Sequence, residues 1–95
     1  MHRLETRYQR VDTLPVERRE SLIRETAVLD AEVFRTPTPE HVEAAYRGVG
    51  VDECWTMTVR YGGQLIGYNT IRVWYEVGAE GSYALWRSRA AVRSA

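Results

Sequence analysis

The 95-residue chain contains no lysine and only one cysteine, Cys54. A single cysteine excludes an intrachain disulfide, and the chain is typical of a reducing compartment. Its thirteen basic residues are all arginine and are balanced by thirteen acidic ones, so the sequence lacks the one-sided basic charge that nucleic-acid or anionic-membrane binding usually needs. We therefore expect neither of these two partners.

Long apolar segments are also missing. No stretch approaches the roughly 20 apolar residues of a membrane helix. The opening residues MHRLETRYQR lack the apolar region of a signal peptide. We expect a soluble, cytoplasmic protein that forms one domain over residues 1–95, with a 44% hydrophobic content that suffices for two packed layers.

Metal sites and cysteine chemistry have little support. His2 and His41 do not stand at metal-ligand spacing from Cys54 or from an acidic cluster, so we expect no bound metal. Neither histidine has a context that pairs it with the thiol as a base. Cys54 is interpreted as a small apolar residue of the core, and His41 as exposed and inert.

The first half of the chain predicts a strand and two helices. RLETRYQRVDTL alternates as a short edge strand does. Asp12 or Thr13, followed by Pro15, marks a helix start. The next segment, VERRESLIRETAVLDAEVF, predicts a helix whose inner face carries Leu22, Ile23, Thr26, Leu29, Val33 and Phe34.

A second, short helix is predicted in RTPTPEHVEAAYRG. Thr38 is expected as its cap, with Pro39 and Glu40 in the first turn and Gly48 as its stop. Its inward residues are predicted to be Val42, Ala45 and Tyr46.

The second half has the period of two that is typical of strands. WTMTVRY is followed by Gly62 and Gly63, which suit a tight hairpin turn, and then by the long strand QLIGYNTIRVWYEV. Gly67 within that strand suggests a bulge or a close backbone approach. GAEG predicts a second turn and SYALWRSRAAVRSA a last strand. The predicted fold is α+β in the order β-α-α-β-β-β, with strand aromatics in the core and in cross-strand pairs, namely Trp55, Tyr68, Trp74, Tyr75, Tyr83 and Trp86.

This order of elements, together with the segments GGQLIGY and RSRAAVRSA, resembles the N-terminal half of the GNAT superfamily of N-acetyltransferases. Members commonly carry a turn of the type Gly-x-Leu-Val-Gly-Tyr, which is matched here by Gly63, Leu65, Ile66, Gly67 and Tyr68. Their fourth strand runs into a segment of the type Ala-Gly-Val-x-Pro, of which this chain matches Ala90, Ala91 and Val92. Ser94 stands where the family often has proline.

The resemblance implies a mostly antiparallel, twisted sheet and transfer of an acetyl group from acetyl-CoA to an amine. The pantetheine arm of acetyl-CoA would pair with the backbone of the fourth strand, at Ala90, Val92 and Ser94. The sequence ends before the family's pyrophosphate-binding loop, so we expect a partial domain that is inactive alone. The catalytic residues and the amine acceptor stay unassigned. The expected partner is the missing C-terminal half or a second copy of the chain.

Two sets of charged side chains are candidates for a role near an acceptor. Glu25, Glu32 and Glu76 are carboxylates that could face an amine, although surface ion pairs explain Glu25 and Glu32 more simply. A further set alternates along the last strand and should line one sheet face, consisting of Arg87, Arg89 and Arg93. That face is interpreted as solvent-exposed, with an anion site as the alternative.

Two other functions fit the same residues. A half-domain without catalytic activity would leave a sheet edge uncovered, and such an edge favours self-association into a symmetric dimer as a binding or assembly module. An unrelated α+β ligand-binding or interaction domain would share only the order of elements.

Overall fold

The described part of this chain forms two helices and four strands. The computed structural model describes residues 3–93. In chain order the elements are β1 Leu4–Arg10, α1 Val16–Phe34, α2 Glu40–Tyr46, β2 Glu53–Tyr61, β3 Gln64–Gly78 and β4 Gly81–Val92. The strands form a sheet in the order β1-β2-β3-β4, and all neighbours are antiparallel. The predicted α+β order is confirmed.

The glycines of the β2–β3 connection act as predicted. Gly62 and Gly63 have φ values of 60° and 83°, the left-handed values that a two-residue hairpin turn requires. The pairing of β2 with β3 shifts between Val59 and Arg60, where Gly67 and Leu65 lie opposite. Gly67 therefore borders a bulge, as predicted. A Cβ at Gly67 would lie 3.6 Å from the Ala91 carbonyl oxygen, an ordinary contact, so the bulge is the stronger reason for glycine here.

The predicted side-chain caps of the helices are wrong. Pro15 and Pro39 occupy the N-cap positions, and neither helix has a side-chain cap hydrogen bond. The Oδ1 of Asp12 instead accepts the backbone N–H of Cys54 at 3.0 Å, which ties the end of β1 to β2. The Thr38 hydroxyl donates to the Asp30 carboxylate rather than to the amides of α2.

Both helices pack on one side of the sheet, called here the helix side. The predicted inward residues of α2 are buried, as are Leu22, Ile23, Thr26 and Leu29 of α1. Val33 and Phe34 were expected inside but are 38% and 42% exposed. The inner face of α1 continues through Asp30 instead, because this carboxylate has partners on the sheet.

The middle of the helix side contains hydroxyl groups as well as apolar groups. Thr56, Thr58 and Thr70 are buried there. The hydroxyls of Tyr46 and Thr70 lie 2.5 Å apart, and Thr70 also lies 3.3 Å from the Thr56 hydroxyl. Burial raises the pKa of Tyr46, so its hydroxyl keeps its proton. Cys54 is buried as expected.

The other side of the sheet, called here the open face, faces away from both helices. Eight of its large apolar side chains are exposed, namely Leu4, Tyr8, Trp55, Tyr61, Tyr75, Val77, Trp86 and Val92. The prediction that the strand aromatics fill the core is therefore wrong for most of them. Tyr68 is buried, whereas the others are exposed or half-buried. Trp55, Tyr75 and Trp86 lie on the side that the helices leave uncovered. Trp74 and Tyr83 lie where the β3–β4 hairpin extends past the rest of the sheet.

The β3–β4 hairpin extends past the rest of the sheet. The last pair between β2 and β3 is Glu53 with Val73, while β3 and β4 stay paired from Gly67 and Val92 to Gly78 and Gly81. Residues 74–85 thus form a two-stranded arm. None of the helices in residues 3–93 is long and apolar enough to cross a membrane.

Candidate functional site

The outer edge of β4 is the first place to look for a binding site. β4 is the last strand of the sheet, so one of its edges has no neighbouring strand among residues 3–93. Arg93 donates its N–H to the Ile66 carbonyl across the ladder. Since backbone groups alternate in direction along an antiparallel strand, the N–H and C=O groups of Ala90 and Val92 point to the outer edge.

Two of the three predicted cofactor contacts are thus placed together. Ala90 is exposed and Val92 is 70% exposed, so solvent reaches this part of the edge. The backbone N–H groups of these two residues are separated by one residue and point the same way, as the groups along one side of a strand do. Ser94, the third predicted residue, lies outside the described residues.

The arginines of β4 lie on the helix side rather than on a solvent-exposed face. Arg89 pairs in register with the buried Thr70, and its Nε donates to Asp30 of α1 at 2.8 Å. Arg93 contacts Glu32 of α1 at 3.1 Å. The expectation of a solvent-exposed set is wrong for Arg89 and Arg93, because carboxylates of α1 lie over them.

The carboxylate of Asp30 is the centre of a buried polar cluster. Asp30 is fully buried and accepts hydrogen bonds from the Thr38 hydroxyl at 2.8 Å, from Arg89 and from the Tyr68 hydroxyl. Burial, together with the hydrogen bond to Asp30, raises the pKa of Tyr68. The guanidinium of Arg89 also lies over the Phe34 ring, 4.3 Å from its centroid. The cluster joins α1, the α1–α2 connection, β3 and β4.

Sequence reasoning missed Asp30. The signal was present, because Asp30 stands four residues after Thr26 and next to Leu29, on the stripe that faces the sheet. A carboxylate on the apolar stripe of a helix predicts a buried cationic or hydroxyl partner.

The carboxylates that could have faced an amine are already engaged. Glu25 and Arg60 form two hydrogen bonds of 2.6 and 3.0 Å. Glu32 pairs with Arg93, and Glu76 accepts from the Tyr83 hydroxyl at 3.0 Å. Glu25 and Glu32 do form ion pairs, but with arginines of the sheet rather than with the helix neighbours that the sequence suggested. A catalytic base is not assigned to any of them.

Two further arginines lie side by side on the helix side of the sheet. Arg72 and Arg87 are register partners on β3 and β4. Among the ion pairs of residues 3–93, neither has a carboxylate within 4.0 Å. Arg72 lies 5.6 Å from the centroid of the Trp74 ring. Like charges directly opposite destabilise a sheet. The two arginines also add positive potential to the helix side, three residues along the strands from the pair of Asn69 with Ala90.

A cleft of about 390 Å³ opens between β1 and the first half of α1. Arginines and carboxylates line it in similar numbers, among them Arg7, Arg18, Glu17 and Glu25. Mixed charge of this kind is typical of a solvated surface cleft. None of its side chains stands out as a nucleophile next to a general base.

Metal ligands do not gather anywhere in the described part of the chain, where no group of three His, Cys, Asp or Glu residues could hold an ion. His41 is exposed on α2. Burial chiefly raises the pKa of the Cys54 thiol, to about 12, which disfavours the thiolate that a nucleophile needs.

Comparisons with known protein families, with curated proteins and with solved structures gave no match for this chain.

Proposed function

We propose that the chain is the N-terminal portion of an acyl-CoA-dependent N-acetyltransferase and that it binds acetyl-CoA along the outer edge of β4. The observation that carries the proposal is the outward direction of the Ala90 and Val92 backbone groups on an accessible strand edge. The order β-α-α-β-β-β and the antiparallel sheet support it, since both agree with the GNAT-like segments of the sequence.

An extended ligand can add to a sheet edge as a further strand would. Main-chain hydrogen bonds supply the affinity in such contacts, and neighbouring side chains supply the specificity. The pantetheine arm of acetyl-CoA is extended and contains two amide groups, so it offers both donors and acceptors. Ala90 has a side chain of one methyl group, which lets a ligand approach the backbone closely.

The reaction proposed for the complete enzyme is direct acyl transfer. The nitrogen of the acceptor amine attacks the thioester carbonyl carbon, a C–N bond forms, the C–S bond breaks and the sulfur leaves as a thiolate. The amine proton passes to a base and the thiolate takes up a proton. A backbone N–H at the β4 edge would stabilise the negative charge on the carbonyl oxygen. The isolated chain is expected to bind acetyl-CoA without turning it over, because its candidate carboxylates are engaged in other pairs.

Calorimetric titration of the 95-residue chain with acetyl-CoA tests the proposal. We expect saturable binding by the unchanged chain. The variant Val92→Pro removes an outward N–H without breaking a ladder bond, since proline is tolerated at strand edges, and should weaken binding at least tenfold. Ala84→Pro is the matched control, because Ala84 lies on the same edge with the same parity but in the arm. It should bind as the unchanged chain does.

No heat of binding, or equal binding by both proline variants, would overturn the proposal. The same edge also favours the second function, a non-catalytic half-domain that self-associates edge to edge. Edge pairing with another chain would use the whole length of β4. It would therefore be weakened by Ala84→Pro as well as by Val92→Pro, which separates it from acetyl-CoA binding.

A further inference from the structure

The open face carries more exposed apolar surface than a lone domain normally shows. Its eight exposed large apolar side chains range in exposure from 39% for Trp55 to 85% for Val77. Leu4 lies beside Tyr61, and Trp86 lies beside the partly buried Val73, so apolar side chains of neighbouring strands adjoin one another. Soluble monomers rarely expose a continuous apolar patch larger than a few hundred Å².

We propose that a second copy of this chain covers the open face, so that two sheets pack face to face in a symmetric dimer. An aromatic side chain that becomes buried removes about 150–250 Å² from water, so the five half-exposed aromatics of the open face contribute on the order of 500 Å². With the three aliphatic side chains, the face approaches the roughly 800 Å² per partner of a standard interface. The area therefore suffices for a stable pair.

The charge distribution of the open face fits a second copy of the chain. The charged side chains of the open face are Arg10 and Glu53, which lie at one end of the sheet and contact each other at 3.9 Å. The rest of the face is uncharged. In a two-fold contact each patch meets itself, so a charged centre would repel its own copy, whereas an uncharged apolar centre is self-complementary.

Asn69 is a polar residue of the open face. It lies in the middle of the open face, in a row with Tyr8, Met57 and Ala90 that crosses all four strands. Its Oδ1 is buried and has no hydrogen-bond partner among the described residues. An unsatisfied buried acceptor costs about 1–3 kcal/mol.

Because the chain itself buries Oδ1, a second copy does not reach this atom, and Asn69 serves here as the central position at which a charge can be introduced. A two-fold axis through the middle of the face would bring two such charges close together. The outer edge of β4 stays free in this arrangement, so the dimer does not rest on acetyl-CoA binding.

Sedimentation equilibrium of the full chain over about a hundredfold range of concentration tests the proposal. We expect the mass to rise from that of the 11.0 kDa chain to twice that value and then to stay constant. Asn69→Asp places two carboxylates at the axis and should weaken the dimer at least tenfold. Asn69→Leu, which is apolar and of similar size, should keep it. Val28→Asp, at an exposed position of α1, is the charge control and should dimerise normally.

The far-UV circular dichroism of each variant shows whether it is folded. If Asn69→Asp does not fold, Trp86→Glu replaces it, because Trp86 is 61% exposed at the margin of the open face. A mass of one chain at every concentration would overturn the proposal. A mass that keeps rising beyond that of two chains would also overturn it. The same holds if the variant with a charge on the open face has the same dimer dissociation constant as Val28→Asp.

Discussion

Arg89 and Asp30 are 59 residues apart in the sequence, yet the Nε of Arg89 donates to the Asp30 carboxylate at 2.8 Å. The side chain of Asp30 is 1% exposed and that of Arg89 is 21% exposed. The pair joins the edge strand β4 to helix α1, and it does so directly beside Ala90. This buried charge pair, together with the Arg93–Glu32 pair and the packing of Ala91 near Leu29, fixes the candidate acetyl-CoA edge relative to α1.

Replacing Arg89 by alanine should destabilise the fold by about 3 kcal/mol, because it leaves a buried carboxylate without its cationic partner. Urea unfolding measured by tryptophan fluorescence gives this value. Arg87→Ala is the matched control, since Arg87 is an exposed arginine of the same strand and should change stability by less than about 0.5 kcal/mol.

The double variant Asp30→Asn with Arg89→Ala identifies the cause. It removes the buried charge and should recover part of the stability that Arg89→Ala loses. If Arg89→Ala were as stable as Arg87→Ala, burial of the Asp30 carboxylate would not depend on Arg89.

The hydroxyl of Tyr46 should contribute about 1 kcal/mol through its hydrogen bond with Thr70 beneath α2. Tyr46→Phe removes this hydroxyl and keeps the ring in place. The loss stays modest because the Thr70 hydroxyl still lies 3.3 Å from that of Thr56. Tyr8→Phe, at a 68% exposed position, is the control. Equal unfolding midpoints for the two variants would contradict the role given to this contact.

The order of the elements was predictable because it depends on local signals. Gly62 and Gly63 require a tight turn wherever they occur between two alternating segments, and Gly67 marks the bulge beside it. The buried positions of α2 follow from helical spacing around Val42 and Tyr46. Such signals act over a few residues, which one sequence displays completely.

Within the candidate site, only the direction of the backbone groups was predictable from the sequence. The outward direction of Ala90 and Val92 follows from strand alternation once β4 is assigned. The partners of Asp30 were not predictable, because Thr38 lies 8 residues and Arg89 lies 59 residues further along the chain, outside the range of helical spacing. Exposure of the aromatics was missed for a related reason, since strand periodicity identifies two faces but does not say that helices cover just one.

Acid should weaken the contact between β1 and β2 through Asp12. Burial alone would raise the pKa of this carboxyl, but the hydrogen bonds from Arg10 and from the Cys54 N–H lower it below the ordinary value of 3.8. A carboxylate whose pKa is lower in the folded state stabilises fully above the unfolded value, and this contribution disappears as the pH falls through the folded value.

Asp12→Asn should therefore reduce the dependence of unfolding free energy on pH below about pH 5, measured by urea unfolding from neutral to acid pH. Glu80→Gln, at an exposed position in the turn of the arm, is the control and should follow the unchanged chain. Parallel curves for Asp12→Asn and the unchanged chain would mean that Asp12 does not couple folding to protonation.

Cys54 offers a direct measure of how often the core opens. Its thiol is fully buried, and burial, followed by the charge of Asp12, raises its pKa to about 12. At pH 8 the folded chain should react with a thiol reagent at least a hundredfold more slowly than the chain in urea, because thiolate forms only when the core opens.

The variant Arg89→Ala should react faster than the unchanged folded chain by about a hundredfold, because its loss of about 3 kcal/mol in stability corresponds to two tenfold steps in the open fraction. Rapid labelling of the folded chain would contradict the burial of Cys54. Unchanged labelling in a destabilised Arg89→Ala would instead mean that the core around Cys54 opens without separating β4 from α1.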